Sequence, residues 1–89
     1  MMHPELTQYL RYADAVAALL RKPARTVRDA ELQQHRLKEC LRLLRRAIVT
    51  AADADLKAQL GRQLRDVKQR HFYAIIHKLA LVQRATEDN

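Results

Sequence analysis

The chain has 89 residues, 48% of them hydrophobic and 30% charged, with a formal net charge of +7 at neutral pH. That length supports one hydrophobic core rather than two, and the apolar fraction is too high for wholesale disorder. One glycine and two prolines in the whole length are too few turn residues for a β-rich domain, so the composition points to an all-α fold.

Pro4 suits the first turn of a helix, where its missing N–H would have no partner. Leu6, Tyr9, Leu10, Ala13, Val16, Ala17 and Leu20 then recur at spacings of three and four, which predicts helix 1 over about 4–22. Pro23 disfavours helical geometry at Lys22 and opens a short connector. Thr26 is placed to cap helix 2 by accepting from the N–H of Asp29, whose carboxylate also offsets the positive end of the helix dipole. Helix 2, about 27–52, carries Ala30, Leu37, Leu41, Leu44 and Ile48 inward, with Cys40 and Ala47 in alternate positions of a near-heptad pattern. The apolar register resets near Ala52, where Asp53 or Asp55 can cap helix 3, about 54–84. Leu56, Leu60, Leu64, Val67, His71, Ala74 and Ile75 form its stripe, interrupted by Gly61, and a polar tail from Ala85 is expected to fray.

These spans predict a single helical domain: an antiparallel hairpin of helices 2 and 3 with an additional N-terminal helix, a three-helix bundle. At 1.5 Å per residue the helices would be about 27, 39 and 46 Å long. Helix 1 is expected to fold back over the first half of helix 2, leaving the turn end of the hairpin without a third helix. In the segment from Phe72 to Val82 nine of eleven residues are apolar, so it must be covered nearly all round. Either helices 1 and 2 do this or a partner helix does.

Basic residues form two rows, Arg36, Lys38, Arg42, Arg45 and Arg46 on helix 2 and Lys57, Arg62, Arg65, Lys68 and Arg70 on helix 3. Lys38, Arg42 and Arg45 share one helical face, and arginine forks pair with both phosphate and carboxylate. A solvated face that keeps a leucine-rich hairpin soluble is the plainer explanation. The sequence pI of about 10.2 fits a nucleic-acid-binding domain. Acidic residues interrupt the rows, however, and Tyr9, Tyr12, Phe72 and Tyr73 read as core or boundary groups rather than base-stacking ones.

His35 is expected to approach His71 across the hairpin, but no histidine pair has the spacing of two ligands on one helical face, so no metal site is expected. No cofactor motif is present. No serine occurs, the basic residues sit mostly outside the apolar stripes, and no acid–base constellation emerges, which argues against catalysis. A lone Cys40 cannot form an intrachain disulfide, and a small secreted domain normally needs several, so a reducing cytoplasm is expected. The N-terminal residues lack the features of a secretory signal, and no apolar run approaches the roughly 20 residues that span a bilayer.

The stretch from Asp53-Ala-Asp55-Leu to Phe72-Tyr-Ala-Ile-Ile-His77 resembles the second half of small helical-hairpin co-chaperones of bacterial type III secretion. The resemblance covers about a third of the chain and rests on length, hairpin architecture and composition. It implies a binding role, in which the hairpin shelters an aggregation-prone amphipathic helix of a client. The expected anchors are Leu44, Ile48, Leu56, Leu60 and Leu64 in an open groove near the turn, and Phe72, Ile76 and Leu79 at the other end. Lys38, Arg42, Arg45, Arg46, Arg62 and Arg65 form the expected basic rim that selects acidic flanks. Self-association through the same apolar surface and binding of nucleic acid are the alternatives.

Overall fold

The computed structural model describes residues 3–87, which form three helices: α1, Pro4–Leu20; α2, Val27–Thr50; α3, Ala54–Glu87. No strand occurs among the described residues, and the fold is the expected all-α three-helix bundle.

Each boundary has a local cause. Pro4 occupies the first turn of α1, and the Thr7 N–H donates to the His3 carbonyl at 3.0 Å, closing the first helical bond. The helix stops at Leu20, three residues before Pro23, as the restriction on the residue preceding proline requires. Thr26 caps α2: its Oγ1 accepts from the Asp29 N–H at 3.1 Å. The chain leaves α2 at Ala51, which turns extended (φ −69°, ψ 128°), and Asp53 opens α3 by accepting from the Asp55 N–H at 3.1 Å. The helix continues through Glu87, past the expected frayed start of the tail at Ala85. The last two residues of that tail lie outside the described residues.

The core gathers where all three helices meet. Leu37, Cys40, Leu43, Leu44, Ala47 and Ala51 form it with Tyr9 and Val16 of α1 and Leu60 of α3. Leu44 and Leu60 are 0% and 2% exposed, and burying a leucine to that degree contributes about 1.5–3 kcal/mol. Leu43 was not part of the expected inward stripe. It is buried because α2 is flanked by α1 on one side and α3 on the other, so a wider arc of its circumference is covered than one stripe.

α1 folds back from the connector along α2 as expected, and reaches somewhat past its midpoint, with Tyr9 level with Cys40 and Gln63. Leu6 packs against the cluster that holds Ala47, Ala51 and Leu60, and the Tyr9 hydroxyl donates to Gln63 Oε1 of α3 at 2.7 Å. The 17 residues of α1 span about 25 Å, enough to reach from the connector to that level.

Near the connector, polar contacts tie α3 down for the last time. The His77 imidazole lies 2.7 Å from the Ala24 carbonyl oxygen through Nε2, and Lys78 Nζ stands 3.6 Å from Glu31 Oε1. Beyond them α3, with 34 residues against 24 in α2, overhangs by about 15 Å at 1.5 Å per residue. The molecule measures 55 × 18 × 17 Å.

Burial, with a smaller effect of the neighbouring Cys40, pushes the Tyr9 phenol from 10.0 up to about 12, against a lowering effect of Arg70. A raised acid pKa in the folded state means that this contribution to stability is complete below pH 10 and is lost as pH rises towards 12. Tyr9→Phe is expected to lower stability by about 1 kcal/mol at pH 7 and to abolish this alkaline loss, as read by urea unfolding at pH 8 and pH 11. An unchanged alkaline slope in the variant would assign the loss to other groups.

A Cβ placed on Gly61 would meet nothing within 4 Å, and the residue sits inside α3 without a positive φ. Gly61→Ala should therefore raise stability by about 0.5–1 kcal/mol, measurable as a higher urea midpoint at unchanged m-value.

Candidate docking surfaces

Two features of the surface stand apart. The first is an apolar line on the outer face of α3. Phe72, Ile76 and Leu79 are spaced by four and three residues, so they align along one side of the helix. They are 59%, 46% and 61% exposed, with Tyr73 beside them at 58%. The Phe72 and Tyr73 rings lie 6.1 Å apart at a tilt of 58°. Phe72 is not in the core, since it lies on the side of α3 away from α2, whereas Tyr73 stands at the boundary expected for it, bordering a cavity with Ala17, Leu20 and Ala24. Of the two alternatives left open for this segment, cover from within the chain is partial: Ala74 packs on the core and Ile75 and Leu81 are half-buried, while Phe72, Tyr73, Ile76 and Leu79 stay exposed. Arg65 precedes the line and Arg84 follows it, both exposed.

The other expected anchors are placed differently. Leu44 and Leu60 are sealed in the core, while Ile48, Leu56 and Leu64 are partly buried and packed against it. They hold the bundle together and offer no open groove near the turn. The cause is the close packing of α2 on α3, which turns these side chains inward against Leu44 and Leu60.

The second feature is a basic groove between α2 and α3, on the face away from α1. It encloses about 780 Å³ and is lined by His35, Lys38, Glu39, Leu41, Arg42, Arg45 and Arg46 of α2 and by Lys68 and His71 of α3. The structure thus unites four members of the expected basic rim, Lys38, Arg42, Arg45 and Arg46, and adds Lys68. Arg62 and Arg65 are exposed on α3 but do not line the groove. The two rows do not merge, because the burial of Leu60 and Leu64 sets the rotation of α3 and turns Arg62 and Arg65 outward.

Within the groove only one carboxylate answers five cationic side chains. Glu39 accepts from Arg42 Nε through both oxygens, at 3.0 and 3.1 Å, and also from its Nη2. That hydrogen bonding holds the Glu39 carboxyl below its usual range and raises the Arg42 guanidinium. The pair is exposed, so its value for stability is small. Lys38, Arg45, Arg46 and Lys68 form no ion pair with any described residue. His35 and His71 do meet at this groove, as expected. His71 Nε2 is shielded from water without a hydrogen-bond partner, and burial, reinforced by Lys38, lowers the imidazole pKa from 6.5.

Among the described residues no group of three or more His, Cys, Asp or Glu could hold a metal ion, and no helix is long and apolar enough to cross a membrane. Cys40 is buried and free, its thiol pKa raised by that burial, which disfavours the reactive thiolate. The chain matches no protein-family model, no curated protein and no solved structure. Its function is therefore to be inferred from these surfaces.

A histidine with a depressed folded-state pKa contributes stability above its unfolded value that is lost as pH falls. Stability should accordingly decline as pH drops below 6.5, and His71→Gln should flatten the decline between pH 7 and pH 5 in urea unfolding. A slope identical to that of the parent chain would show that His71 does not set it.

Proposed function

We propose that this protein is a binding module that captures an acidic, amphipathic helix of another protein along the outer face of α3, as a co-chaperone or adaptor would. Its role is binding rather than catalysis. The observation that carries the reading is the bare line of Phe72, Ile76 and Leu79 with Tyr73 alongside. Apolar residues in such a line on a soluble chain usually mark an interaction site. A client helix with apolar residues at i, i+3 or i+4, and i+7 would match their spacing and shield them.

Charge selects the occupant. Arg65 and Arg84 bracket the line, and the chain as a whole carries +7. An acidic helix is attracted by that field, whereas a second copy would bring a further +7 against it. The free, buried Cys40 suits a reducing compartment such as the cytoplasm. The resemblance to type III secretion co-chaperones points to the same kind of role, with the client now placed on the outer face of α3 instead of in a groove near the turn.

The probe is a 20-residue synthetic helix with leucines at i, i+3 and i+7 and glutamates elsewhere, titrated by fluorescence anisotropy. It should bind the parent chain and bind Ile76→Asp/Leu79→Asp at least tenfold more weakly, while the same peptide with lysines for glutamates should bind poorly to both. The two substituted residues are exposed, so circular dichroism should show the fold intact. Equal affinity for parent and double variant would remove the α3 face as the site. A parent dimer in light scattering that the double substitution dissociates would replace the foreign helix with a second copy.

A further inference from the structure

We infer that the groove between α2 and α3, on the face away from α1, binds the phosphate backbone of a single nucleic-acid strand without reading its sequence. This inference does not rest on the α3 apolar face. Lys38, Arg45 and Arg46 on one wall and Lys68 on the other form no ion pair with any described residue, and the one local carboxylate, Glu39, is already committed to Arg42. The rise of α2 from Lys38 to Arg46 is about 12 Å. Cations at that density, on two facing walls, match a ligand whose charges repeat every few ångströms. A solvated basic face has no need of the concave shape of about 780 Å³ that lets a narrow chain be touched from both sides.

The lining also indicates what is not read. No Phe, Tyr or Trp lines the groove, whose only rings are the imidazoles of His35 and His71, so bases have no large stacking platform there and affinity comes mainly from charge. Arginine forks favour phosphate oxygens by bidentate pairing. The shielded, unpartnered His71 Nε2 at the α3 wall leaves one further polar atom for a bound oxygen to satisfy if Lys38 swings towards the ligand.

The test uses the full chain and a labelled 12-nucleotide oligouridylate in fluorescence anisotropy. Four phosphates neutralised by Lys38, Arg45, Arg46 and Lys68 give a slope of log affinity against log salt of about −3. Lys38→Gln/Arg45→Gln should weaken binding at least tenfold and shrink that slope by about 1.4, at about 0.7 per lost cation. Arg11→Gln/Arg25→Gln removes the same charge from exposed positions outside the groove and should cost less than threefold. Equal losses in the two double variants would mean that net charge alone is at work and overturn the site. Stronger competition by hexaglutamate, by tripolyphosphate or by anionic phospholipid vesicles than by unlabelled oligouridylate at equal charge would overturn the nucleic-acid strand as its ligand.

Discussion

The structure depends on a mismatch of lengths. Burial of Leu44 against Leu60, together with Tyr9 and Leu6 from α1, pins all three helices together. Both covering helices meet the connector at residues 21–26, level with His77 and Lys78 of α3, as the contacts to Ala24 and Glu31 show. From that point nine described residues of α3 remain, about two and a half turns. The apolar residues of 72–82 are dense enough for a fully buried helix, and the other two described helices cover only part of them. Of the large exposed apolar residues only Leu79 and Val82 lie in that overhang; Phe72 and Ile76 stand level with α2 and are exposed because they sit on the side of α3 away from it.

This constraint also separates what could be read in the sequence from what could not. Proline positions, the Thr26 cap and the spacing of leucines are local, so the helices and their inward faces were legible to within a few residues. Axial register between helices is not local. The apolar stripe of α1 is compatible with several positions along α2, and only packing of Tyr9 against Cys40 and Gln63 selects the one observed. α1 lies at the expected connector end but extends as far as Tyr9 beside Cys40 and Gln63, and the depth of Leu44 and Leu60 follows from how tightly α2 and α3 close on each other, which local pattern does not give. The basic rows divide in the same way. Lys38, Arg42 and Arg45 share a face by helical angle alone, whereas the membership of Lys68 and the exclusion of Arg62 and Arg65 depend on how α3 is rotated against α2.

The composition at Phe72–Val82 raised the question that the structure sharpens. A segment with almost no polar face requires cover, and the choice between cover from the same chain and cover from outside is a question of how much helix remains to supply it. Among the described residues, α1 and α2 leave Phe72, Ile76 and Leu79 exposed. The argument for an external partner is thus one of geometry and supply rather than of hydrophobicity alone, since single exposed apolar residues are ordinary on any protein surface.

The two surfaces are close enough to influence each other. Lys68, on the groove wall, precedes Phe72 by four residues, a rise of about 6 Å, which is within the Debye length of about 8 Å at physiological ionic strength. An acidic helix on the apolar line and a phosphate strand in the groove would therefore draw on one positive potential. Whichever occupies its surface first neutralises part of the field that attracts the other, so the two ligands oppose each other without touching. The strength of that opposition falls with added salt, whereas direct competition for the same side chains would persist. A chain with so little carboxylate near its basic groove has this coupling built into its charge distribution, whatever the affinity of either surface alone.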